Sequence, residues 1–277
     1  MIYNSKNYKK NLDTVWQNYI NALGSLTCPI PSYSPVDNQL NNYVMPDSVK
    51  QSIDMTCNIS TFKDDIDPST QKRPVILILG LNPSVVSSQF TPAQQFEQIY
   101  TPSPNRKGTH ANGEVWDINY FQTIRKLIGY IFPKNDEAYA YADLFQMRVT
   151  KKNAVEWAVK NHTSYPGLTD FLNGQLGITT RLIRLINPDI IVVNNALASK
   201  YVLTGLNGLT NPLSGISTAL NSKCGTYIWN NNGKDVPVFC TRMMSGGGLD
   251  DQSIERLAWH IRNVFRMNSN QLPSTFN

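Results

Sequence analysis

The sequence has few charged residues and none of the common signatures of a membrane or nucleotide-binding protein. Only 16% of its 277 residues are charged, and no apolar run reaches the ~18 residues that cross a bilayer. Residues 1–6 lack the apolar stretch of a secretory signal, so we expect a cytoplasmic protein without membrane contact. Neither Gly-x-x-x-x-Gly-Lys-Ser/Thr nor Gly-x-Gly-x-x-Gly occurs, which disfavours a nucleotide-binding enzyme of another α/β type.

Cysteine and histidine are too scarce and too scattered to indicate a metal site. The four cysteines, Cys28, Cys57, Cys224 and Cys240, include no Cys-x-x-Cys pair, which disfavours a zinc ribbon or an iron–sulfur cluster. We interpret them as reduced, mostly buried thiols. The three histidines do not form a ligand set. The sequence therefore predicts neither a metal nor a cofactor.

The overall composition is that of a globular protein with a modest positive charge. Hydrophobic residues make up 41% of the chain, enough for a sizeable core. The formal net charge is +5 and the isoelectric point is near 8.9. Such a balance suits a polyanionic partner such as DNA, although many proteins without one share it. No feature indicates an obligate protein partner.

Apolar runs alternate with helical periodicities through most of the chain. Residues 1–70 read as an extension, with one amphipathic helix followed by a connection rich in Pro, Ser, Asn and Asp, and residues 71–277 as an α/β domain. The predicted strands cover 74–79, 139–145, 188–195 and 236–241, and the predicted helices cover 117–132, 168–186, 196–203 and 251–265. This alternation predicts a three-layer α/β/α fold around a mostly parallel sheet.

Polar clusters follow three of the predicted strands. They are Gly80–Ser84, Asp143–Arg148 and Arg242–Gly248. Because ligands bind at the carboxyl ends of strands in open parallel sheets, we expect one cleft to collect all three clusters. Residues 230–233 (Asn-Asn-Asn-Gly) predict a hairpin-like turn before the last strand.

Two of these clusters resemble motifs of the uracil-DNA glycosylase superfamily. Gly80-Leu81-Asn82-Pro83-Ser84, after a buried strand, resembles the first motif of its Asn-type branches. The segment 143–150 (Asp-Leu-Phe-Gln-Met-Arg-Val-Thr) is similar to an Asn-Leu-Phe-x-x-Arg-x-Thr segment in a related, uncharacterised family. The resemblance covers roughly residues 70–265 and implies a uracil-DNA glycosylase-like fold. The loop after the fourth strand departs from it, with Met-Ser-Gly-Gly-Gly where the family usually has His-Pro-Ser.

Asn82 is the principal catalytic candidate. Removal of a base proceeds through a sugar with oxocarbenium character and a departing anionic base. An amide carbonyl can orient a water molecule toward the anomeric carbon, but it is a weaker base than a carboxylate. More of the catalysis must then come from stabilising the leaving base. The structural alternative is that Asn82-Pro83 only starts a turn.

Ser84 and Asp143 bear on which base is removed. The resemblance places an aromatic residue at position 84 in the most uracil-selective branch, so the small Ser84 leaves the C5 side of the pocket open. Asp143 stands where the superfamily usually has an Asn that reads the pyrimidine edge. An ionised carboxylate only accepts hydrogen bonds, which suits the N4 amine of cytosine rather than uracil. The alternatives are an ordinary turn serine and an Asp143 that caps a turn or pairs with Arg148.

Further residues are candidates for the base pocket and for contacts with DNA. The base-pocket candidates are Gly80, Leu81, Pro83, Phe90, Phe145 and His110. The DNA-binding candidates are Arg148, Lys151, Lys152, Arg242, Met243, Met244, Ser245, Gly246 and Gly247. In the family, the loop over 242–247 enters the minor groove and holds the flipped nucleotide, and Met is a suitable apolar wedge. The alternatives are core aromatic residues, solvated basic pairs and a flexible connector.

Together these features predict a DNA glycosylase that flips a base and leaves an abasic site. The small Ser84 and the acceptor Asp143 favour a C5-modified cytosine. The superfamily includes phage-defence members that remove glucosylated hydroxymethylcytosine from viral DNA, so the resemblance implies an antiviral function. Two alternatives stay open: a repair glycosylase for uracil or thymine in mismatches, and a non-catalytic protein that binds modified DNA or a nucleotide.

Overall fold

The structure is a computed structural model that describes residues 76–82, 107–109, 115–117, 119–132, 139–145, 152–164, 168–244 and 248–268. The predicted extension over residues 1–70 lies outside this part of the chain. The strands are β1 (Ile76–Gly80), β2 (Lys107–Thr109), β3 (Val115–Asp117), β4 (Tyr139–Asp143), β5 (Ile190–Asn194), β6 (Tyr227–Asn231) and β7 (Lys234–Thr241). The helices are α1 (Asn119–Ile131), α2 (Lys152–Asn161), α3 (Leu168–Ile186), α4 (Ala196–Thr204) and α5 (Asp251–Asn268), with a 3-10 turn at His162–Ser164.

The main sheet is mixed but mostly parallel. Its five strands run in the order β4-β1-β5-β7-β6, and all neighbouring pairs are parallel except β6 with β7. β1 and β5 are buried along their whole length, because their side chains are apolar on both faces. The α/β class and the mostly parallel sheet predicted from the sequence are confirmed.

The β6–β7 hairpin supplies the antiparallel edge of the sheet. Its turn places Asn232 at φ +53° and Gly233 at φ +89°. Two successive positive φ values are the signature of the tight turn that matches the twist of paired strands, and Asn-Gly is the residue pair that adopts it most readily. The hairpin-like turn predicted at residues 230–233 is therefore confirmed.

Helices flank the sheet in the positions that right-handed crossovers require. The connection from β1 to β4 moves in one direction along the sheet, and the connections from β4 to β5 and from β5 to β7 move in the other. Right-handed crossovers then place α1 on one face and α3 and α4 on the opposite face. α5 packs beside α1 in one apolar core, while α3 contacts β4 and α4 contacts β5 and β7. The arrangement is consistent with a three-layer α/β fold.

Several elements differ from the sequence-based prediction. α2 and the two-stranded β2–β3 hairpin lie where no regular element was predicted. Val155, Ala158 and Val159 form the buried stripe of α2, but its ten residues give the periodicity little length in which to show. Strands of three residues are too short to show any alternation. Among the described helices, none is long and apolar enough to cross a membrane.

Candidate active site at the carboxyl edge of the sheet

The ends of β1 and β4 lie side by side. Gly80 is the register partner of Asp143 in the parallel ladder. The pairing continues past the strands, because the Leu144 N–H donates to the Gly80 carbonyl and the Phe145 N–H to the Leu81 carbonyl, both at 2.9 Å. Asn82 follows Leu81 directly. Since paired strands are about 4.8 Å apart, the structure brings Asn82 and Asp143 to the same short stretch of the sheet edge.

The topology also favours a crevice at this place. The chain leaving β1 leads to α1, whereas the chain leaving β4 leads toward α3 on the opposite face. Neighbouring strands whose connections leave to opposite faces open a crevice between their carboxyl ends, which is where ligands bind in open α/β sheets. The predicted convergence of the first two polar clusters therefore has a structural basis in the strand order.

Asp143 is a buried carboxylate held in a defined orientation. Its exposed fraction is 1%, and the Tyr141 hydroxyl donates to its Oδ1 at 2.8 Å. Residues two apart on a strand share a face, so this bond is local to β4. The Thr179 hydroxyl of α3 lies 3.1 Å from the main-chain oxygens of both Asp143 and Leu144, which ties the end of the strand to that helix. The bond from Tyr141 reaches the carboxylate itself, and a buried carboxylate needs such a donor because its desolvation is otherwise costly.

Leu81 and Asn82 follow directly after the end of β1. The chain bends at Leu81, whose side chain is buried at 4% exposure, while Asn82 is half-buried. Gly80 is the register partner of Asp143 in the neighbouring strand. Register partners present their side chains to the same face of the sheet, and Gly80 has no side chain there. Of the first motif, the predicted pocket residues Pro83 and Ser84 lie outside the described residues.

Phe145 lies in the core rather than on an open surface. It is fully buried, and its ring meets that of Tyr201 on α4 edge-on, with centroids 6.4 Å apart and an interplanar angle of 85°. A ring without exposed surface has no free face for an extruded base. The stacking role predicted for Phe145 is thus corrected to the core role that the sequence left as the alternative.

The DNA contact predicted for Met244 is also wrong. The sequence placed it among the DNA contacts, as a wedge, but its exposed fraction is 1% and it belongs to the core cluster of the α1 and α5 face. An apolar side chain just past the end of β7 is more stable beneath α5 than in water. In the same predicted DNA-binding loop Arg242 is exposed and Met243 is 42% exposed, so these two are placed where a ligand can reach them.

Asn194 is a residue that the sequence did not single out. It ends β5, next to β1, and its exposed fraction is 1%. Its Oδ1 accepts the Met244 N–H at 2.7 Å, which anchors the segment after β7 to the end of β5. The Thr241 hydroxyl adds to this anchor, at 3.2 Å from the Val193 carbonyl. The sequence signal that could have identified Asn194 is a side-chain amide at the end of an otherwise apolar, buried strand.

Replacing Asn194 with alanine should destabilise the protein. The Met244 N–H would lose its acceptor in a buried position, which costs about 1–3 kcal/mol. Urea unfolding of the variant should show a lower midpoint with an unchanged slope. Asn173→Ala is the matched control, since the Asn173 Oδ1 accepts only an exposed Thr210 N–H at 2.8 Å. Equal stability of the two variants would contradict the anchoring role of Asn194.

Cys240 lies near this edge, but its thiol is not activated. Burial raises the pKa of Cys240 to about 11, and a hydrogen bond with Ser199 only partly opposes that shift. The thiol therefore stays protonated at neutral pH, and nucleophilic attack requires the thiolate. Among the described residues, no three His, Cys, Asp or Glu side chains are grouped so that they could hold a metal ion.

The remaining predicted site residues cannot be placed. Outside the described residues lie Pro83, Ser84, Phe90, His110, Arg148, Lys151, Ser245, Gly246 and Gly247. Lys152 begins α2, but its side chain also lies outside what the structure describes. No protein-family model matches the chain, and no curated protein matches it.

Proposed function

We propose that the protein is a DNA glycosylase of the uracil-DNA glycosylase superfamily. It would hydrolyse the N-glycosidic bond of a flipped, C5-modified cytosine, such as glucosylated hydroxymethylcytosine in phage DNA, and so serve antiviral defence. The single observation that carries the proposal is that the chain just past β1 pairs with the end of β4, which brings Asn82 and Asp143 close together at the carboxyl ends of neighbouring strands. These are the two positions to which the motifs assign water activation and base recognition.

In the proposed reaction, the Asn82 side-chain carbonyl accepts a hydrogen bond from a water molecule and aims it at C1′ of the deoxyribose. The bond from C1′ to the base nitrogen breaks, and its electron pair leaves with the base. A bond from C1′ to the water oxygen forms, the water gives up one proton to the surrounding solvent, and the departing base anion takes up one proton from the solvent. The products are a free base and an abasic site. An amide can do this because the sugar carries most of the developing positive charge.

Asp143 would select the base. Its carboxylate accepts from the exocyclic N4 amine of cytosine, whereas the O4 of uracil is itself an acceptor and would meet the carboxylate without a proton between them. The bond from Tyr141 fixes the orientation in which the carboxylate is offered. Because the Asp143 carboxylate is 1% exposed, a flipped base would have to displace the groups that cover it in the free protein. An acceptor-only group at this place favours modified cytosine over the mismatch-repair alternative.

The test incubates the full chain with matched oligonucleotides and probes for alkali-labile abasic sites. The substrates carry unmodified cytosine, glucosylated hydroxymethylcytosine, uracil opposite guanine or thymine opposite guanine, each in single-stranded and duplex form. We expect abasic sites only in the DNA with the modified cytosine. Cleavage of the mismatched substrates alone would instead assign a repair glycosylase, and tight binding without any abasic product would assign a non-catalytic binding protein.

Tyr141→Phe should slow base release by about 10- to 100-fold, because a hydrogen bond to a charged group is worth about 1.5–3 kcal/mol. The loss should appear in kcat/KM for the modified cytosine, with the fold intact by circular dichroism. Tyr201→Phe is the matched control. It also removes a buried hydroxyl, one that has no hydrogen-bond partner in the part of the chain that the structure describes. Equal activity of both variants and the wild type would show that Tyr141 does not orient Asp143 for recognition.

A further inference from the structure

A second concave surface lies beside the edge strand β6, away from the candidate active site. It is a groove of about 700 Å³ between the loop over 221–226 and the second half of α5. Its lining includes Lys223, Gly225, Trp259, His260, Asn263 and Arg266. Three strand spacings, about 14 Å, separate β6 from β1 in the sheet. A volume of this size is within the usual range of about 300–1,000 Å³ for ligand sites.

The loop that forms one wall of the groove is held by its own hydrogen bonds. The Asn221 Oδ1 accepts the N–H groups of Lys223 at 2.9 Å and Cys224 at 3.3 Å. The Gly225 N–H donates to the Asn221 carbonyl, and the Asn221 N–H donates to the Thr226 carbonyl, both at 2.8 Å. Four bonds within six residues fix the backbone that carries Lys223.

The loop is also joined to the helix that forms the other wall. The His260 ring nitrogen Nε2 lies 2.7 Å from the Cys224 carbonyl and must donate to it, because a carbonyl only accepts. The His260 ring meets Phe239 of β7 edge-on, with centroids 4.9 Å apart. Gly225 has φ +64°, and a Cβ there would come within 3.4 Å of His260. The loop and α5 are thus held together through Cys224, Gly225 and His260. We infer from these contacts that the groove is already formed before a ligand binds.

The chemistry of the lining combines an exposed aromatic face with positive charge. Trp259 is 62% exposed, an unusual placement for so large an apolar side chain. Lys223 and Arg266 lie on opposite walls, and the lining residues that the structure describes include no carboxylate. The acidic residue one helical turn before Trp259 is Glu255, which is hydrogen-bonded to Tyr130 of α1. The groove therefore suits a ligand that has both a flat ring and negative charge.

We propose that this groove binds a single strand of nucleic acid, with a base stacked on Trp259 and phosphates paired with Lys223 and Arg266. Exposed aromatic residues in positively charged grooves are how proteins hold single strands without reading their sequence. Lys223 and Arg266 stand on opposite walls of the groove, so they would contact phosphates on either side of the stacked base. A strand supplies two such phosphates and a nucleoside monophosphate only one, which favours a strand over a free nucleotide. Nothing in this groove depends on Asn82 or on base removal.

Binding of a fluorescein-labelled oligothymidylate to the full chain, followed by anisotropy, tests the groove. Trp259→Ala should weaken binding by about tenfold or more, while Trp259→Phe should keep most of the affinity, because stacking needs only an aromatic face. Lys223→Ala should lower the slope of log affinity against log salt by about one. The matched control is Leu220→Ala, which removes another exposed apolar side chain, 57% exposed, outside the groove.

Two results would overturn the proposal. The first is Trp259→Ala binding as tightly as Leu220→Ala. The second is displacement of the oligothymidylate by thymidine monophosphate at equal concentrations, which would assign the groove to a free nucleotide. Asn82→Ala separates this site from the proposed function. It should leave the contribution of Trp259 to binding unchanged, whether or not the wild-type protein releases a base.

Discussion

Asn82→Ala should lower the single-turnover rate of base release by about 10²- to 10⁴-fold, the usual contribution of a group that activates a nucleophile. The variant loses the carbonyl that we propose to orient water and keeps the backbone that follows β1. Binding to the modified DNA should change little, because the water-positioning amide acts mainly on the transition state. Quenched-flow measurement of abasic sites, with protein in excess over DNA, gives the rate directly.

The control for Asn82 is another asparagine, outside the crevice. Asn173→Ala, on α3, removes an amide that bonds only to an exposed main-chain N–H, and it should release base as fast as the wild type. If Asn82→Ala did the same, water activation would have to be assigned to another residue. A comparable loss in both variants would indicate that unfolding, and not the missing amide, explains the effect.

If Asp143 reads the base as proposed, Asp143→Asn should shift the preference of the protein from modified cytosine toward uracil. The substitution keeps the size of the side chain and its ability to accept from Tyr141, but it replaces an acceptor with a donor at one of the two terminal atoms. A base contact of this type is worth about 1–3 kcal/mol of discrimination. The ratio of kcat/KM for modified cytosine to that for uracil should therefore fall by about 5- to 150-fold.

The matched substitution for Asp143 is Asp189→Asn. Asp189 lies just before β5, at the amino ends of the parallel strands, and its carboxylate pairs with Lys234 at 2.7 Å. Neutralising the Asp189 carboxylate should therefore leave the substrate ratio at the wild-type value. An unchanged ratio in Asp143→Asn, with activity retained, would contradict the assignment of Asp143 as the residue that reads the base edge.

The sequence predicted the framework of the fold well where the pattern was long or continuous. The apolar runs that became β1 and β5 are buried on both faces, so they needed no neighbours to be recognised. The predicted helix over 168–186 coincides with α3, and the predicted helix over 251–265 lies within α5. Once β1 and β4 were predicted, the convergence of Asn82 and Asp143 followed from their places at the ends of these strands.

The sequence could not decide questions that depend on distant parts of the chain. Met244 reads equally as a wedge or as a core residue, because only the packing of α5 over it shows which one it is. The bond from the Met244 N–H to Asn194 joins residues 50 positions apart. Lys223 and Trp259 line one groove because the loop and the helix that carry them are joined by the bond between His260 and the Cys224 carbonyl. Local periodicity carries no information about such pairs.

The most direct test of the central claim measures both products of the proposed cleavage in one reaction. DNA containing glucosylated hydroxymethylcytosine is incubated with the wild-type protein, the released small molecules are identified by mass spectrometry, and the abasic sites in the strand are counted. We expect one intact glucosylated base for each abasic site, and at least ~10²-fold less of both products in the same time with Asn82→Ala. Release of glucose alone, or an unaltered strand in the presence of folded protein, would contradict the claim that Asn82 directs water to the deoxyribose carbon.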